Sequence, residues 1–456
     1  MNIAIVGSGI AGNVAAYHLA REHQITMFEA AGHIGGHTHT HQIEQAGQRY
    51  AVDTGFIVFN DWTYPNFIAL MDELGVASQE SAMSFSVRDE GADIEYNGTS
   101  LNSLFAQRSN LLRPAFWRML KDIMRFNREA LALLDAGGDE LSLGEFLAHK
   151  AYSREFIERY IIPMGAAIWS TDARNMRAFP AKFFVRFFQN HGMLSVDKRP
   201  QWRVIQGGSA RYVDKLTASF RDRIRLHSPV RSIRRVAGGA WVKPEGGEAE
   251  RFDAVFLACH SNQALAMLSD ASREEREVLG AIPYQYNEAV LHTDTRMLPR
   301  RPLAWAAWNY HLLDERELSG AAPRVALTYN MNILQSLRSP EPFLVTLNRS
   351  TSIDPAKVIK RIGYEHPLFT PAAVAAQARH AEINGPLATY FCGAYWRNGF
   401  HEDGVVSALA AVGHFKKRNG VSQINALPKA DAKRSGLVRN FNTGDGDAQR
   451  ALHRAA

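Results

Sequence analysis

Gly7, Gly9 and Gly12 stand between a short apolar run and a helix-like run of small residues, and few chain arrangements can use them in that order. Asn2–Val6 reads as a buried strand, the residues after Gly9 as a helix, and the run ending at Glu29 as a second strand. In such a strand–turn–helix–strand unit each glycine has its own task. Gly7 permits the tight turn, Gly9 lets backbone approach a pyrophosphate, and Gly12 allows the helix to lie close to the sheet. The free N–H groups at the helix start, at Ile10 and Ala11, suit phosphate charge. Glu29 follows Gly7 by 22 residues, a suitable interval for an acidic partner to an adenosine ribose. The unit predicts a dinucleotide site.

The residues beyond Glu29 narrow the choice of dinucleotide. "AAGHIGGHTHTHQI" places Gly35 and Gly36 just past the second strand, and "RYAVDTGFIVFN" is another apolar strand. Near the other end, "ATYFCGAYWRNGFHEDGVVSALAAVGHF" reads as a short strand, a glycine-containing connection and a helix starting near Asp403 and Gly404. These segments resemble the large flavoprotein family that contains amine oxidases, protoporphyrinogen oxidase and phytoene-type desaturases. The resemblance implies FAD. It extends the pyrophosphate site through Gly35, Gly36, His37 and Thr38, and brings Glu402, Asp403, Gly404 and Val405 toward the isoalloxazine and ribityl region. It also sets Val230, in "RIRLHSPVRSIRRV", beside the adenine. Where the family often has arginine after the paired glycines, this chain has His37, which is mostly neutral near pH 7 and so no permanent clamp.

At 456 residues the chain is long enough for two cores. The expected fold is α/β: a Rossmann-like FAD-binding domain with a discontinuous α+β substrate domain, amine-oxidase-like. The FAD domain is expected from 1–75, 205–265 and 376–420, the substrate domain from 76–204 and 266–375, and a basic tail from 421–456. "MSFSVRDEGADIEYNG" alternates like a strand pair, and "NLLRPAFWRMLKDIMRFNREALALL" is helical with Pro114 near its start. "PLAWAAWNYHL", "RVALTYNMNILQSL" and "FLVTLNR" read as strands of a mixed or antiparallel sheet.

Several functions fall away. Cys259 and Cys392 are the only cysteines, which excludes a disulfide scaffold and favours structural thiols. His33, His37, His39 and His41 cluster in sequence without acidic or cysteine company, so no metal is expected. A net charge of +6 without a basic recognition element argues against nucleic acid. Because the first strand starts at residue 2 and no long apolar span occurs, a cytoplasmic protein is expected. Two stretches suggest peripheral contact with the inner membrane face. One sets Phe116, Trp117, Met124 and Phe126 among Arg113, Arg118, Lys121, Arg125 and Arg128; the other is "PAKFFVRFFQNHGML".

The catalytic residues carry less signal. Trp169, within "YIIPMGAAIWST", together with Tyr310, Tyr395 and Trp396, is expected to wall the space over the flavin. No general base is marked by spacing. The strings "VDTGFIVFN", "RPQWRVIQGGSARYVDKL" and "YWRNGFHEDGVVSAL" are similar to a bacterial branch of the family associated with cyclopropane and methylated or furan fatty acid metabolism. That likeness implies a desaturase or dehydrogenase passing hydride from a methylated or cyclopropane fatty acyl chain to flavin N5, with a hydrophobic substrate and a fatty-acid-modifying enzyme as partner. Two alternatives stand beside it: a flavin-dependent amine oxidase, and a noncatalytic FAD-containing lipid-binding protein.

Overall fold

The computed structural model describes residues 1–135, 141–195, 198–313 and 325–420. The expected basic tail, 421–456, lies outside the described residues. The glycine unit forms as β1 (Asn2–Val6), α1 (Ile10–Leu19) and β2 (Gln24–Phe28). β1 is buried from Ile3 to Val6 because it lies inside a parallel sheet covered on both faces. The sheet order is Ile224–Arg225, β2, β1, Ala254–Leu257, Thr389–Phe391, all parallel. Its strands thus come from three distant stretches of chain.

Five further helices position the site: α2 (Pro65–Glu73), α3 (Pro114–Glu129), α4 (Ile162–Trp169), α5 (Ala181–Asn190) and α6 (His401–Arg418). Proline stands at the start of α2 and α3, where its missing N–H costs nothing. α6 packs on α1 through small residues. A Cβ on Gly404 would come within 2.6 Å of Ile10 Cγ2, and Ala408 and Ala411 are fully buried in the same core. Its last turn carries Lys416, Lys417 and Arg418, which suit the negative end of the helix dipole.

The second half is built on a seven-stranded sheet ordered Val358–Pro367, Tyr284–His292, Leu344–Leu347, Leu327–Asn330, Trp308–Leu312, Phe85–Asp89, Ile94–Asn97. Only the pairing of Trp308–Leu312 with Phe85–Asp89 is parallel, so the sheet is mixed. The strand read through "RVALTYNMNILQSL" is shorter than expected. It ends at Asn330, whose side chain accepts from the Ile333 N–H and starts a one-turn helix, Met331–Leu334. α3, α4 and α5 form a helical layer with its own aromatic core, including Phe126, Phe156, Phe184 and Phe188.

That core corrects one of the two membrane-facing expectations. In α5, Phe184, Phe187 and Phe188 point inward and are at most 5% exposed, so the phenylalanine run is packing. In α3, Phe116 and Phe126 are buried while Trp117 and Met124 face out. Among the described residues, no helix is long and apolar enough to cross a membrane.

Candidate active site

The fingerprint turn is closed by backbone geometry. Gly7 adopts φ +101°, and a Cβ there would lie 2.9 Å from the Ala258 carbonyl oxygen. A Cβ on Gly12 would sit 2.0 Å from the Gly7 oxygen, so the first turn of α1 rests directly on the loop. Gly9 is different: a Cβ there would meet nothing within 4 Å. α1 has no side-chain cap and no acidic residue in its first turn, so its leading N–H groups and positive dipole end are left for an anion.

The paired glycines fold back onto this turn. The Gly35 N–H donates to the Ser8 carbonyl at 3.0 Å, and Gly36, at φ +59°, lies against the Gly9 backbone. Glu29 closes the other side: its carboxylate accepts from the Ser8 N–H and hydroxyl at 2.8 and 2.6 Å and from the Ala31 N–H at 2.8 Å. Residues 225–228 pair with this strand end, through Glu29 N–H to Arg225 and Ser228 N–H to Glu29. Val230 begins the next strand and is half-buried. Open space over Gly9, uncapped N–H groups and a flanking carboxylate fit a dinucleotide's pyrophosphate and ribose.

The side chains of Glu402 and Asp403 both serve helix starts. The Glu402 carboxylate accepts from the Asn66 and Phe67 N–H groups and the Asn66 amide, capping α2. Asp403 accepts from the Phe400 and Asn398 N–H groups at the start of its own helix. Burial pushes Glu402 up to about 7 and Asp403 up to about 6. Val405 is core. What this helix start turns toward α1 is Gly404.

Beside the paired-glycine loop lies a cavity of about 170 Å³. Trp169, at the end of α4, forms part of its wall and is itself packed between Phe179 and Phe187, with its indole N–H donating to the Asn398 carbonyl. Phe400 and His401 enter from the start of α6, and Tyr364, His366 and Phe369 from the end of the longest strand and the loop after it. Among the described residues lining it there is no Asp, Glu, Lys or Arg. Its histidines are neutral at pH 7, because burial holds His37 down to about 4, His366 down to about 3, and His401 well below the usual range. The site is an uncharged, largely aromatic chamber.

Three of the four expected wall residues, Tyr310, Tyr395 and Trp396, do not line this cavity. Tyr310 shares a strand face with Trp308, which does line the cavity, but packs deeper, against Phe85. Tyr395 and Trp396 sit in a short turn within a different core, where Trp396 meets His380 edge-on. Gln377 ties the Tyr395 and Arg397 carbonyls, so the chain reaches the cavity only from Asn398 onward. The four clustered histidines also separate. Gly35 and Gly36 turn the backbone so that His37 enters the cavity, while His33 stacks on His39 with centroids 4.0 Å apart and His41 lies tilted against His39 at 4.1 Å. Among the described residues no group of three or more His, Cys, Asp or Glu could hold a metal ion.

Residues 10–324 match the model of the family described as flavin containing amine oxidoreductase. The chain is 24% identical over 346 residues to AofH of Mycobacterium tuberculosis strain H37Rv, named as a flavin-containing monoamine oxidase, covering 73% of this chain and 71% of that one. The fold is similar to cyclohexylamine oxidase from Brevibacterium oxydans IH-35A, with a TM-score of 0.62, 16% identity, and coverage of 92% of this chain and 99% of that one. It is also similar to a fatty acid isomerase from P. acnes, again with a TM-score of 0.62 and 16% identity, covering 91% and 98%.

Proposed function

Because the chain belongs to the flavin containing amine oxidoreductase family and is an FAD-dependent oxidoreductase, we propose that it oxidises a primary monoamine with an apolar ring or chain. The observation that carries this reading is the absence of any charged side chain among the described residues lining the cavity. A diamine would bury its second ammonium there without a partner, at a cost of several kcal/mol. FAD, when bound, supplies the acceptor for a hydride from the carbon next to nitrogen.

The protein's own groups do the rest. An amine arrives from water as ammonium, and the uncharged chamber disfavours that form, so the reactive neutral amine gains weight on entry. Trp169, Phe369 and Phe400 offer flat apolar surface that orients the substituent and excludes water. His366 accepts from Asn287 at Nδ1, which leaves the proton on Nε2 as a neutral donor.

The test is anaerobic titration of the FAD-loaded protein with cyclohexylamine, benzylamine, putrescine and fatty acids, following flavin absorbance. Bleaching by the two monoamines, with aldehyde or ketone formed in air, is the expected result. Bleaching by putrescine at comparable concentration overturns the monoamine assignment. The apolar wall also suits the second reading, desaturation of a methylated or cyclopropane fatty acyl chain. Bleaching by such acids alone, with a product two hydrogens lighter, would establish that reading instead.

A further inference from the structure

The corner formed by the turn Arg108–Leu112 and the start of α3 exposes an unusual amount of apolar surface. Leu112 is 87% exposed, and Trp117 and Leu111 are about half exposed; Met124, further along α3, is 58% exposed. Leu111, Leu112, Pro114, Trp117, Arg118 and Lys121 line one shallow groove. The corner is held in shape: the Trp117 indole N–H donates to the Leu111 carbonyl at 2.9 Å, and its ring packs on Phe105.

Helical spacing explains the arrangement. Phe116, Met119 and Phe126 point into the core, while Trp117, Lys121, Met124 and Arg128 follow one another along the outer face. The outer face is therefore apolar and basic together, where a solvated helix would show mixed polar residues. Arg118 pairs with Glu155 and Arg128 lies near Glu129, while among the described residues no carboxylate pairs with Lys121. A lysine unpaired among the described residues, beside exposed leucines and a tryptophan, complements a surface that is apolar in its interior and anionic at its face.

We propose that this corner docks on an anionic lipid bilayer. Leu111 and Leu112 enter the acyl boundary, Trp117 sits at headgroup depth, and Lys121 meets the lipid phosphates. The surface lies on the helical layer that also supplies Trp169 to the cavity, so docking keeps that half of the enzyme at the membrane.

The experiment is co-sedimentation of the full-length, FAD-loaded protein with vesicles of phosphatidylglycerol and phosphatidylcholine, against pure phosphatidylcholine. The protein is expected to sediment with the anionic vesicles and to be released by salt. The double variant Leu112→Asp, Lys121→Glu is expected to lose binding at least tenfold while keeping its flavin spectrum and melting temperature. Leu112→Ala alone is expected to weaken binding by a smaller factor, and serves if the double variant folds poorly. Failure of the parent to bind anionic vesicles overturns the proposal. Equal binding by parent and double variant, as the basic segment 421–456 could produce, overturns it as well.

Discussion

The imidazole of His401 lies flat against the ring of Phe56, with centroids 3.5 Å apart and planes 12° from parallel. Its Nε2 is shared by the hydroxyls of Thr38 and Tyr212, at 2.9 and 3.0 Å. One side chain thus joins the start of α6, the paired-glycine loop and the cavity wall. His401→Phe keeps the stack and leaves Thr38 and Tyr212 bonded to each other, so it is expected to cost about 1 kcal/mol. His401→Ala removes the stack and is expected to cost about 3 kcal/mol. Urea unfolding of the flavin-loaded protein measures both.

Gly9 and Gly12 separate cofactor binding from folding. Gly9 has φ −67°, and a Cβ there meets nothing, so Gly9→Ala is expected to leave the apoprotein's stability within about 0.5 kcal/mol of the parent. The new methyl group would stand where the pyrophosphate approaches, lowering FAD affinity at least tenfold by isothermal titration. Gly12→Ala would press Cβ onto the Gly7 oxygen and is expected to lose both stability and flavin.

Trp169 and Trp396 are predicted to behave oppositely. Trp169→Ala enlarges the cavity and is expected to raise the Kd for a monoamine in anaerobic flavin reduction by tenfold or more. Trp396→Ala empties a site in a different core that does not line the cavity, so its effect is expected chiefly on stability, about 3 kcal/mol, with reduction by the amine changed less than in Trp169→Ala. Stopped-flow reduction beside thermal unfolding distinguishes the two.

Glu402 gives a pH signature. Burial raises its carboxyl from 4.5 to about 7 in the folded protein. A carboxyl that binds its proton more tightly when folded favours folding fully below about pH 4.5, and that contribution is lost as pH rises through about 7. Glu402→Gln removes this dependence. The parent's stability relative to the variant is therefore expected to fall by about 2 kcal/mol between pH 5 and pH 8. Buried histidines such as His37 and His366 act in the opposite direction, but equally in both proteins, and cancel from the comparison. A difference that stays flat across that range would show that Glu402 is ionised throughout.

The glycine turn between β1 and α1 was legible because its constraints are on the backbone. Only glycine tolerates the φ of Gly7 or the contact between Gly12 and the Gly7 oxygen, so those positions announce themselves in sequence. The cavity wall carries no such mark. Trp308 and Tyr310 differ by two positions on one strand face, and only depth in the fold decides which meets the cavity. Likewise Tyr364, His366, Phe400 and His401 come together from chain ends that no local pattern connects. The aromatic runs of α3 and α5 read alike, yet only the neighbouring helices settle which face is covered. The carboxylates of Glu402 and Asp403 pointed to a helix start; that Glu402 caps α2, over 300 positions upstream, needed the fold.

The sheet order sets a timetable for biosynthesis. Both glycine loops lie within residues 7–36, but β1 has β2 on one side and Ala254–Leu257 on the other, and the helix that seats Gly404 on Ile10 comes much later in the chain. A nascent chain stalled midway would carry an exposed, one-sided sheet edge and half a nucleotide cradle. The complete cradle therefore exists only once residues 254–257 and 401–418 have joined the glycine loops.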